Sequence, residues 1–335
     1  MRCLTAQNYE NLLTGSAFFG TGGGSNPALG QKIYRKIIRR GQKVSLKKLE
    51  QFRPEDVFIT AFAVGGLKQK NLPTTQIKKG LILLQKQIAK PIKGIIPVEI
   101  GPLATAIAAN LAAELNLPLI DADFVGGRST PEVFLETISL FNIKRTPLIV
   151  VNSKNDIANL ANSTNYQFEE DFLRTFSAIS KETVYVLGYP ITQKVAKKCL
   201  CQKTVSLAIK TGEKINRGKL VGKLLFQGKI TTIKDIKQNG FTSKIVEIKN
   251  NQELGKLYLK NENLIFWIND RPILTCPDLI ILIDLKNQPI YNLDLRRSMS
   301  VKVVGLPAQP LWRTKNGLKL FNPKLFGYNI EQRLL

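Results

Sequence analysis

Four glycines in five positions, Gly20-Thr21-Gly22-Gly23-Gly24, form a dense glycine cluster near the start of the chain. The cluster stands between two predicted helices rather than after a strand, and no Gly-Lys-Ser/Thr follows it. Both facts argue against a dinucleotide fingerprint and a nucleotide-phosphate loop. Unshielded backbone N–H groups beside a helix that starts at Pro27 suit an anion or a developing oxyanion. We expect this loop to bind substrate; a tight interhelical turn is the alternative interpretation.

Three acidic residues follow predicted strands in the first half of the chain. Glu99 comes directly after one strand, and Asp121 and Asp123 follow another. In an open parallel sheet, ligands bind outside the carboxyl ends of the strands. Crowded carboxylates raise one another's pKa, which suits a general acid or base near neutrality. We therefore predict that these three residues are catalytic, and the alternative is that Glu99 or Asp123 caps the helix that follows it.

Two further charged residues are candidates for substrate binding. Arg128, in Gly126-Gly127-Arg128-Ser129, suits a two-pronged hydrogen bond to a substrate carboxylate, or a pair with Asp121 or Asp123. Glu262, at the start of a β run, is placed to bring a carboxylate across from the second half of the chain. A β-turn at residues 261–263 is the other reading.

The chain contains no histidine, so the usual neutral-pH base and the commonest metal ligand are both missing. The four cysteines, which include Cys199 and Cys201, are too few and too scattered for a disulfide framework, and a reducing cytoplasm fits them best. A closed zinc site is not expected without histidine or a second cysteine pair. The sequence requires no cofactor, although carboxylates alone are able to hold a divalent cation.

The elements of the first half alternate between helices and strands. Thr5 caps a predicted helix, Asn26 and Pro27 start a second, and Gly41 ends it. We predict further helices over 102–115 and 131–141, the latter capped by Ser129 or Thr130, and strands over 57–62, 94–98, 119–120 and 147–151. Such alternation favours an α/β domain with a layered, mostly parallel sheet.

The second half shows a different pattern of predicted elements. A helix over 169–180 leads into short strand-like runs separated by turn residues such as Asn239-Gly240, and Tyr189-Pro190 is also interpreted as a turn. This half is predicted to be β-rich α+β with one or two helices. We place the two domains at residues 1–167 and 168–335.

The formal charge is +24, but the excess is spread along the chain: +10 in residues 1–167 and +14 in 168–335. A nucleic-acid protein more often concentrates its basic residues in one arm or stripe. We therefore expect a small-molecule substrate and no specific nucleic-acid partner. No apolar run approaches the length of a membrane span, and the N-terminus is not typical of a signal peptide.

The order of the motifs resembles the S-methyl thiohydantoin desulfurase family, which is often met beside hydantoinase and oxoprolinase enzymes. The first-half segments that carry this resemblance are residues 12–24, Pro97-Val98-Glu99-Ile100-Gly101, residues 116–123, Arg128 and Pro131-Glu132. The second-half segments are Tyr189-Pro190-Ile191-Thr192, Gly240-Phe241, Asn261-Glu262-Asn263-Leu264, Pro277-Asp278-Leu279-Ile280 and Phe326-Gly327-Tyr328.

The resemblance implies an N-terminal α/β domain, a β-rich C-terminal domain and hydrolysis of a small cyclic amide or S-methyl thiohydantoin ring with release of a thiol. Water would be activated by Glu99, Asp121 or Asp123, and the amides of residues 22–24 would meet the developing charge. The alternative is a non-catalytic, ligand-binding or partner subunit of a hydantoinase-like assembly. A homo-oligomer or a hydantoinase-like partner is in keeping with either function.

Overall fold

The computed structural model describes residues 2–65, 74–238 and 241–335, and the predicted turn Asn239-Gly240 and the first residue of the Gly240-Phe241 motif lie outside them. The helices are α1 (Ala6–Phe19), α2 (Pro27–Arg39), α3 (Thr74–Ile88), α4 (Pro102–Leu115), α5 (Tyr166–Ser180), α6 (Gln193–Cys199), α7 (Thr204–Asn216) and α8 (Lys315–Leu320). Short 3-10 helices cover Leu49–Gln51, Thr137–Phe141, Asn292–Asp294, Pro310–Arg313 and Pro323–Phe326.

The first nine strands in chain order are β1 (Arg2–Cys3), β2 (Ser45–Lys47), β3 (Val57–Val64), β4 (Ile92–Ile95), β5 (Leu119–Ile120), β6 (Ala122–Asp123), β7 (Leu148–Val151), β8 (Ile157–Leu160) and β9 (Val184–Thr192). The remaining strands are β10 (Cys201–Gln202), β11 (Lys223–Gln238), β12 (Phe241–Lys249), β13 (Leu254–Lys260), β14 (Glu262–Ile268), β15 (Arg271–Thr275), β16 (Leu279–Ile283) and β17 (Ser300–Leu306).

Local signals set the ends of the first two helices. Thr5 accepts a hydrogen bond from the backbone N–H of Asn8, and the Asn8 side chain accepts one from the N–H of Thr5, which completes a capping box. Asn26 caps α2 by accepting from the N–H of Ala28, and Pro27 is the first helical residue. The predicted starts of both helices are confirmed.

The first sheet has the order β1-β2-β5-β4-β3-β9-β7-β8. Neighbouring strands β2, β5, β4 and β3 are parallel, and β7 runs the same way, so five of the described strands share one direction. Alternate residues of β3 face opposite layers: Ile59 and Ala61 pack into one core, and Phe58 and Phe62 into the other. The predicted α/β class with a mostly parallel sheet is confirmed.

The second sheet is antiparallel and has the order β15-β14-β13-β12-β11-β17-β16. Its strands curve around a separate apolar core that includes Phe226, Leu257 and Phe266. The β-rich character of this part is therefore confirmed. It also carries more helices than the one or two predicted, because α5, α6, α7 and α8 all lie at or after residue 166.

The two parts of the chain are joined through packed elements. Strand β9 lies in the first sheet, between β3 and β7, although it follows residue 167. Helix α1 packs against α7 with almost no space between them: a Cβ on Gly15 would lie 1.9 Å from the carbonyl oxygen of Ala208. The boundary at 167/168 stays a prediction.

Two local predictions were wrong. Within residues 131–141 only Thr137–Phe141 is helical, as a 3-10 turn, because carboxylates from elsewhere bind the backbone: Glu99 accepts from the N–H of Thr130, and Glu170 from that of Val133. No helix therefore starts at Pro131 for Ser129 or Thr130 to cap. Tyr189-Pro190 is not a turn but part of β9.

Candidate functional site

A cavity of about 220 Å³ opens where strands β3 and β4 reach their carboxyl ends. The residues that follow these two strands, Gly65 and Glu99, contribute to its wall. The other described lining residues are Gly24, Ser25, Phe62, Ala63, Val64, Val98, Leu103, Ala104, Ile107, Val125, Thr130, Pro131, Glu132, Val133, Glu136, Arg174 and Asn261. The cavity thus combines an apolar floor with carboxylates, and it lies where open α/β sheets bind ligands.

The glycine loop reaches this cavity through Gly24. Its backbone is left-handed at Thr21, Gly22 and Gly24, with φ of 49°, 85° and 68°. A Cβ on Gly22 would lie 2.3 Å from Oδ1 of Asn292, so the C-terminal part of the chain leaves no space for a side chain there. The loop is therefore both strongly curved and closely covered.

The amides of the loop already have partners in the protein. The N–H of Gly23 donates to the carbonyl of Gly20 at 2.8 Å, and the N–H of Gly24 donates to Oε1 of Glu262 at 3.3 Å. Two of the three amides that were predicted to hold developing negative charge are thus engaged. An anion at Gly24 would have to displace the carboxylate of Glu262, and the substrate-binding role of the loop stays a prediction.

Glu99 is the predicted catalytic acid that the structure places in the cavity wall. Its Oε2 accepts a hydrogen bond from the N–H of Thr130 at 3.2 Å. Burial raises the pKa of Glu99 to about 7, and the neighbouring carboxylates of Asp123 and Glu136 act in the same direction. The hydrogen bonds from Thr130 and Ser129 oppose the shift. Glu99 is therefore a carboxyl able to give and take protons near neutrality.

Asp121 is not among the residues that line the cavity. Its Oδ1 accepts from the N–H of Ser206 at 2.8 Å, and its Oδ2 from the Ser206 hydroxyl at 2.5 Å, in the first turn of α7. The carbonyl of Asp121 also accepts from the N–H of Lys203. These contacts tie Asp121 to the start of α7, and its catalytic role stays a prediction.

Asp123 also lies away from the lining and is fully buried. Its carboxylate accepts three backbone hydrogen bonds, from Val125, Gly126 and Gly127, at 2.8–2.9 Å. Burial raises its pKa to about 7 in spite of these hydrogen bonds. Asp123 shapes the turn that follows β6, and the prediction that it activates water stays untested.

Arg128 is buried between the two parts of the chain rather than in the cavity wall. Its Nε donates to the carbonyl of Ser129 at 3.0 Å, its Nη1 donates to the carbonyl of Pro277, and its guanidinium lies 4.7 Å from the ring centre of Phe321. It pairs with neither Asp121 nor Asp123 through a described salt bridge or hydrogen bond. The predicted pair with Asp121 or Asp123 is therefore wrong, and the substrate-binding role of Arg128 stays a prediction.

Glu262 crosses from the second sheet to the glycine loop, as one of the two readings of this segment expected. Its side chain is buried, its Oε1 holds Gly24, and the preceding residue, Asn261, lines the cavity. Burial and the nearby Glu99 raise the pKa of Glu262 well above its ordinary value. Its described contact is with the loop, directly beside the cavity.

Sequence reasoning missed two residues of the lining that carry charge, Glu136 and Arg174. Glu136 was assigned to the interior of a predicted helix, so its spacing gave no sign of the cavity. Arg174 lies on α5, is paired with Glu170 at 2.6 Å, and is the cationic residue among the described lining. The one usable signal was Pro131-Glu132, which marked this segment as part of a motif.

Within the described residues, no group of three or more His, Cys, Asp or Glu side chains is arranged to hold a metal ion. Cys199 ends α6 and Cys201 lies in β10, and both are buried and free of disulfides. None of the helices in the described ranges is both long and apolar enough to cross a bilayer.

Family models match the chain along almost all of its length. The model described as "S-Me-THD-like, N-terminal domain" matches residues 7–162, and the one described as "S-Me-THD-like, C-terminal domain" matches residues 163–335. Among solved structures, an X-ray crystal structure of a protein from Chromobacterium violaceum is similar, with 20% identity, 100% of each chain covered and a TM-score of 0.86. At this identity the likeness concerns the fold. No curated protein matches the chain.

Proposed function

Because this chain belongs to the S-Me-THD-like family, we propose that it hydrolyses the carbon–sulfur bond of a five-membered S-methyl thiohydantoin-type ring and releases a thiol. The family resemblance indicated by the motifs is confirmed, and the proposal extends it to a reaction. The supporting observation is that Glu99 lies in the wall of a cavity of about 220 Å³ and has a pKa of about 7. A carboxyl with a pKa near the working pH is suited to general acid–base catalysis.

The proposed reaction begins when the oxygen of water forms a bond to the ring carbon that carries sulfur. Glu99 accepts one proton of this water, and the electron pair of the ring C=N bond moves to nitrogen, which receives that proton from Glu99. The tetrahedral adduct then collapses: the C–S bond breaks with its electron pair on sulfur, and the remaining hydroxyl proton passes through Glu99 to the sulfur. The products are a ring carbonyl and a thiol.

The cavity wall supports this chemistry in two ways. The hydrogen bond from the N–H of Thr130 holds Oε2 of Glu99 in a fixed place, and the side chains of Val98 and Leu103 give a ring apolar surface to pack against. The chain contains no histidine, so the base must be another group, and the carboxyl of Glu99 is one of those in the wall whose pKa lies near 7.

The test is hydrolysis of an S-methyl thiohydantoin in H₂¹⁸O by the purified full-length protein. We expect one thiol released per ring and one ¹⁸O in the ring carbonyl. Glu99→Gln should lower turnover by about 10²- to 10⁴-fold, the range for loss of a general base. Glu213→Gln, in an exposed ion pair with Arg217, is the control and should leave turnover unchanged.

Three results would overturn the proposal. They are ¹⁸O found only in a ring-opened carboxylate, unchanged thiol release by a folded Glu99→Gln variant, and ring binding without any release of thiol. The last result would identify a ligand-binding protein, the alternative that the sequence left open.

A further inference from the structure

Glu136 is a second buried glutamate among the residues that line the cavity, directly before the 3-10 helix Thr137–Phe141. Its carboxylate is held by two other side chains. Nε of Arg145 donates to its Oε2 at 2.6 Å, and the hydroxyl of Tyr189 donates to its Oε1 at 3.1 Å. A carboxylate offers about four acceptor positions, so each oxygen keeps capacity for a further hydrogen bond.

The side chain of Arg145 is completely buried and is fixed by several contacts besides Glu136. Its Nη2 donates to the carbonyl of Val133 at 3.1 Å and to the hydroxyl of Ser139 at 2.7 Å, and its guanidinium lies 3.9 Å from the ring centre of Tyr166. A buried arginine with this many contacts has little freedom to move. It therefore fixes the position of the carboxylate that it binds.

Tyr189, whose hydroxyl binds Oε1 of Glu136, has an unusual backbone conformation. Its φ is +57° although it is not glycine, and it lies within a β-strand. Its N–H donates to the carbonyl of Arg145 at 2.9 Å, so the two residues that hold Glu136 are also bonded to each other. A left-handed non-glycine residue inside a strand costs free energy, and such conformations cluster at functional sites.

We propose that Glu136 accepts a hydrogen bond from a ring N–H and so orients the substrate. Arg145 and Tyr189 are the positioning residues of Glu136. This inference takes the ring ligand from the proposed function. The substrate class is then a five-membered ring with an unsubstituted N–H. Glu132, another carboxylate of the lining, is less suited to this role because it is ion-paired with Lys260.

The first test compares binding of hydantoin and its N-methylated forms to the full-length protein by calorimetry. Hydantoin is the expected product and is not consumed. Wild-type protein should bind the N–H ring roughly 10- to 100-fold more tightly than the form methylated at the contacted nitrogen, the range for a hydrogen bond to a charged group. In Glu136→Gln the amide oxygen is expected to stay with Arg145, so an NH₂ group replaces the acceptor Oε1 and the negative charge is removed, and the preference should be lost.

Tyr189→Phe keeps the ring packed against Phe62 and Phe124 and removes only the hydroxyl, so it tests the positioning role if Glu136→Gln fails to fold. The preference for the N–H ring should fall several-fold, with KM affected more than kcat. Tyr185→Phe, a buried tyrosine of the same strand, is the matched control and should keep the wild-type preference.

The pH dependence of ring binding is a second readout. Arg145, Tyr189, Glu169 and Glu99 are the titratable or charged groups that face Glu136. Burial raises the pKa of Glu136 to about 7, while Arg145 and the Tyr189 hydroxyl lower it. Binding should weaken as Glu136 takes up a proton below about pH 7. In Tyr189→Phe this midpoint should move to higher pH, and in Tyr185→Phe it should not.

The two proposals fail separately. The role of Glu136 is overturned if wild-type protein shows no preference for the N–H ring. It is also overturned if Tyr189→Phe has the same preference and the same pH midpoint as Tyr185→Phe. Either result leaves the hydrolytic function standing where thiol release depends on Glu99. If no thiol is released but the N–H preference depends on Glu136 and Tyr189, the orienting role holds and the hydrolytic function fails.

Discussion

Oε1 of Glu262 lies 3.3 Å from the backbone nitrogen of Gly24 and accepts its hydrogen bond, although 238 residues separate the two in the chain. The same oxygen would lie 2.0 Å from a Cβ on Gly23. The glycine loop is therefore a surface on which the second sheet docks, and its lack of side chains is what permits the approach. The wall of the cavity is in this way built from both parts of the chain.

Alanine substitutions at Gly24 and Gly41 should separate backbone strain from steric exclusion. Both glycines are left-handed, with φ of 68° and 62°. A Cβ on Gly41 meets nothing within 4 Å, whereas one on Gly24 would lie 2.9 Å from Cα of Gly101. Gly41→Ala should lower the free energy of unfolding by about 1–2 kcal/mol, from backbone strain alone. Gly24→Ala should lower it clearly more, because the steric clash adds to the strain. Urea unfolding measures both, and equal losses would contradict this explanation of the glycine cluster.

The elements with local signals were the ones that the sequence predicted well. The capping box at Thr5 and the Asn26-Pro27 pair act within four residues, so α1 and α2 begin where their sequences indicate. The predicted helix over 102–115 matches α4 at both ends. Residues 131–136 were assigned wrongly because side chains distant in sequence, including Glu170, bind their backbone.

The candidate site was predicted only in part, for a similar reason. The rule that ligands bind at the carboxyl ends of parallel strands pointed to Glu99, and Glu99 lies in the wall of a cavity there. The rule gave no sign that Asp121 binds Ser206, because that partner comes from a helix 85 positions further along the chain. Glu136 was missed because no local pattern shows that Arg145 and Tyr189 hold it.

Asp123→Asn should reduce stability rather than catalysis. The carboxylate accepts three backbone hydrogen bonds, and an asparagine would present an NH₂ group to at least one of these N–H donors. We expect a loss of about 1–3 kcal/mol in the free energy of unfolding. Thiol release, measured at a temperature where the variant is folded, should stay within about tenfold of wild type. A loss of several orders of magnitude in kcat with unchanged stability would instead restore Asp123 as a catalytic residue.

Glu99→Gln should change the pH dependence of stability. The ordinary pKa of this carboxyl is 4.5 and its folded value is about 7, so between these pH values the folded state binds more protons than the unfolded state. Its contribution to stability is therefore greatest below about pH 4.5 and is lost as the pH rises to 7. The free energy of unfolding of Glu99→Gln minus that of wild type should therefore be larger at pH 8 than at pH 5. Urea unfolding at both values tests this, and a constant difference between the two proteins would contradict it.

Arg128→Lys should weaken the link between the two parts of the chain and leave ring binding nearly unchanged. The guanidinium bonds the carbonyls of Ser129 and Pro277 at once and lies over Phe321, which a lysine ammonium cannot reproduce. We expect the free energy of unfolding to fall by about 2–4 kcal/mol, against less than about 0.5 kcal/mol for the exposed control Arg217→Lys. KM for the ring substrate should change less than about threefold, because Arg128 does not line the cavity. A tenfold or larger rise in KM at unchanged stability would mean that Arg128 anchors the substrate after all.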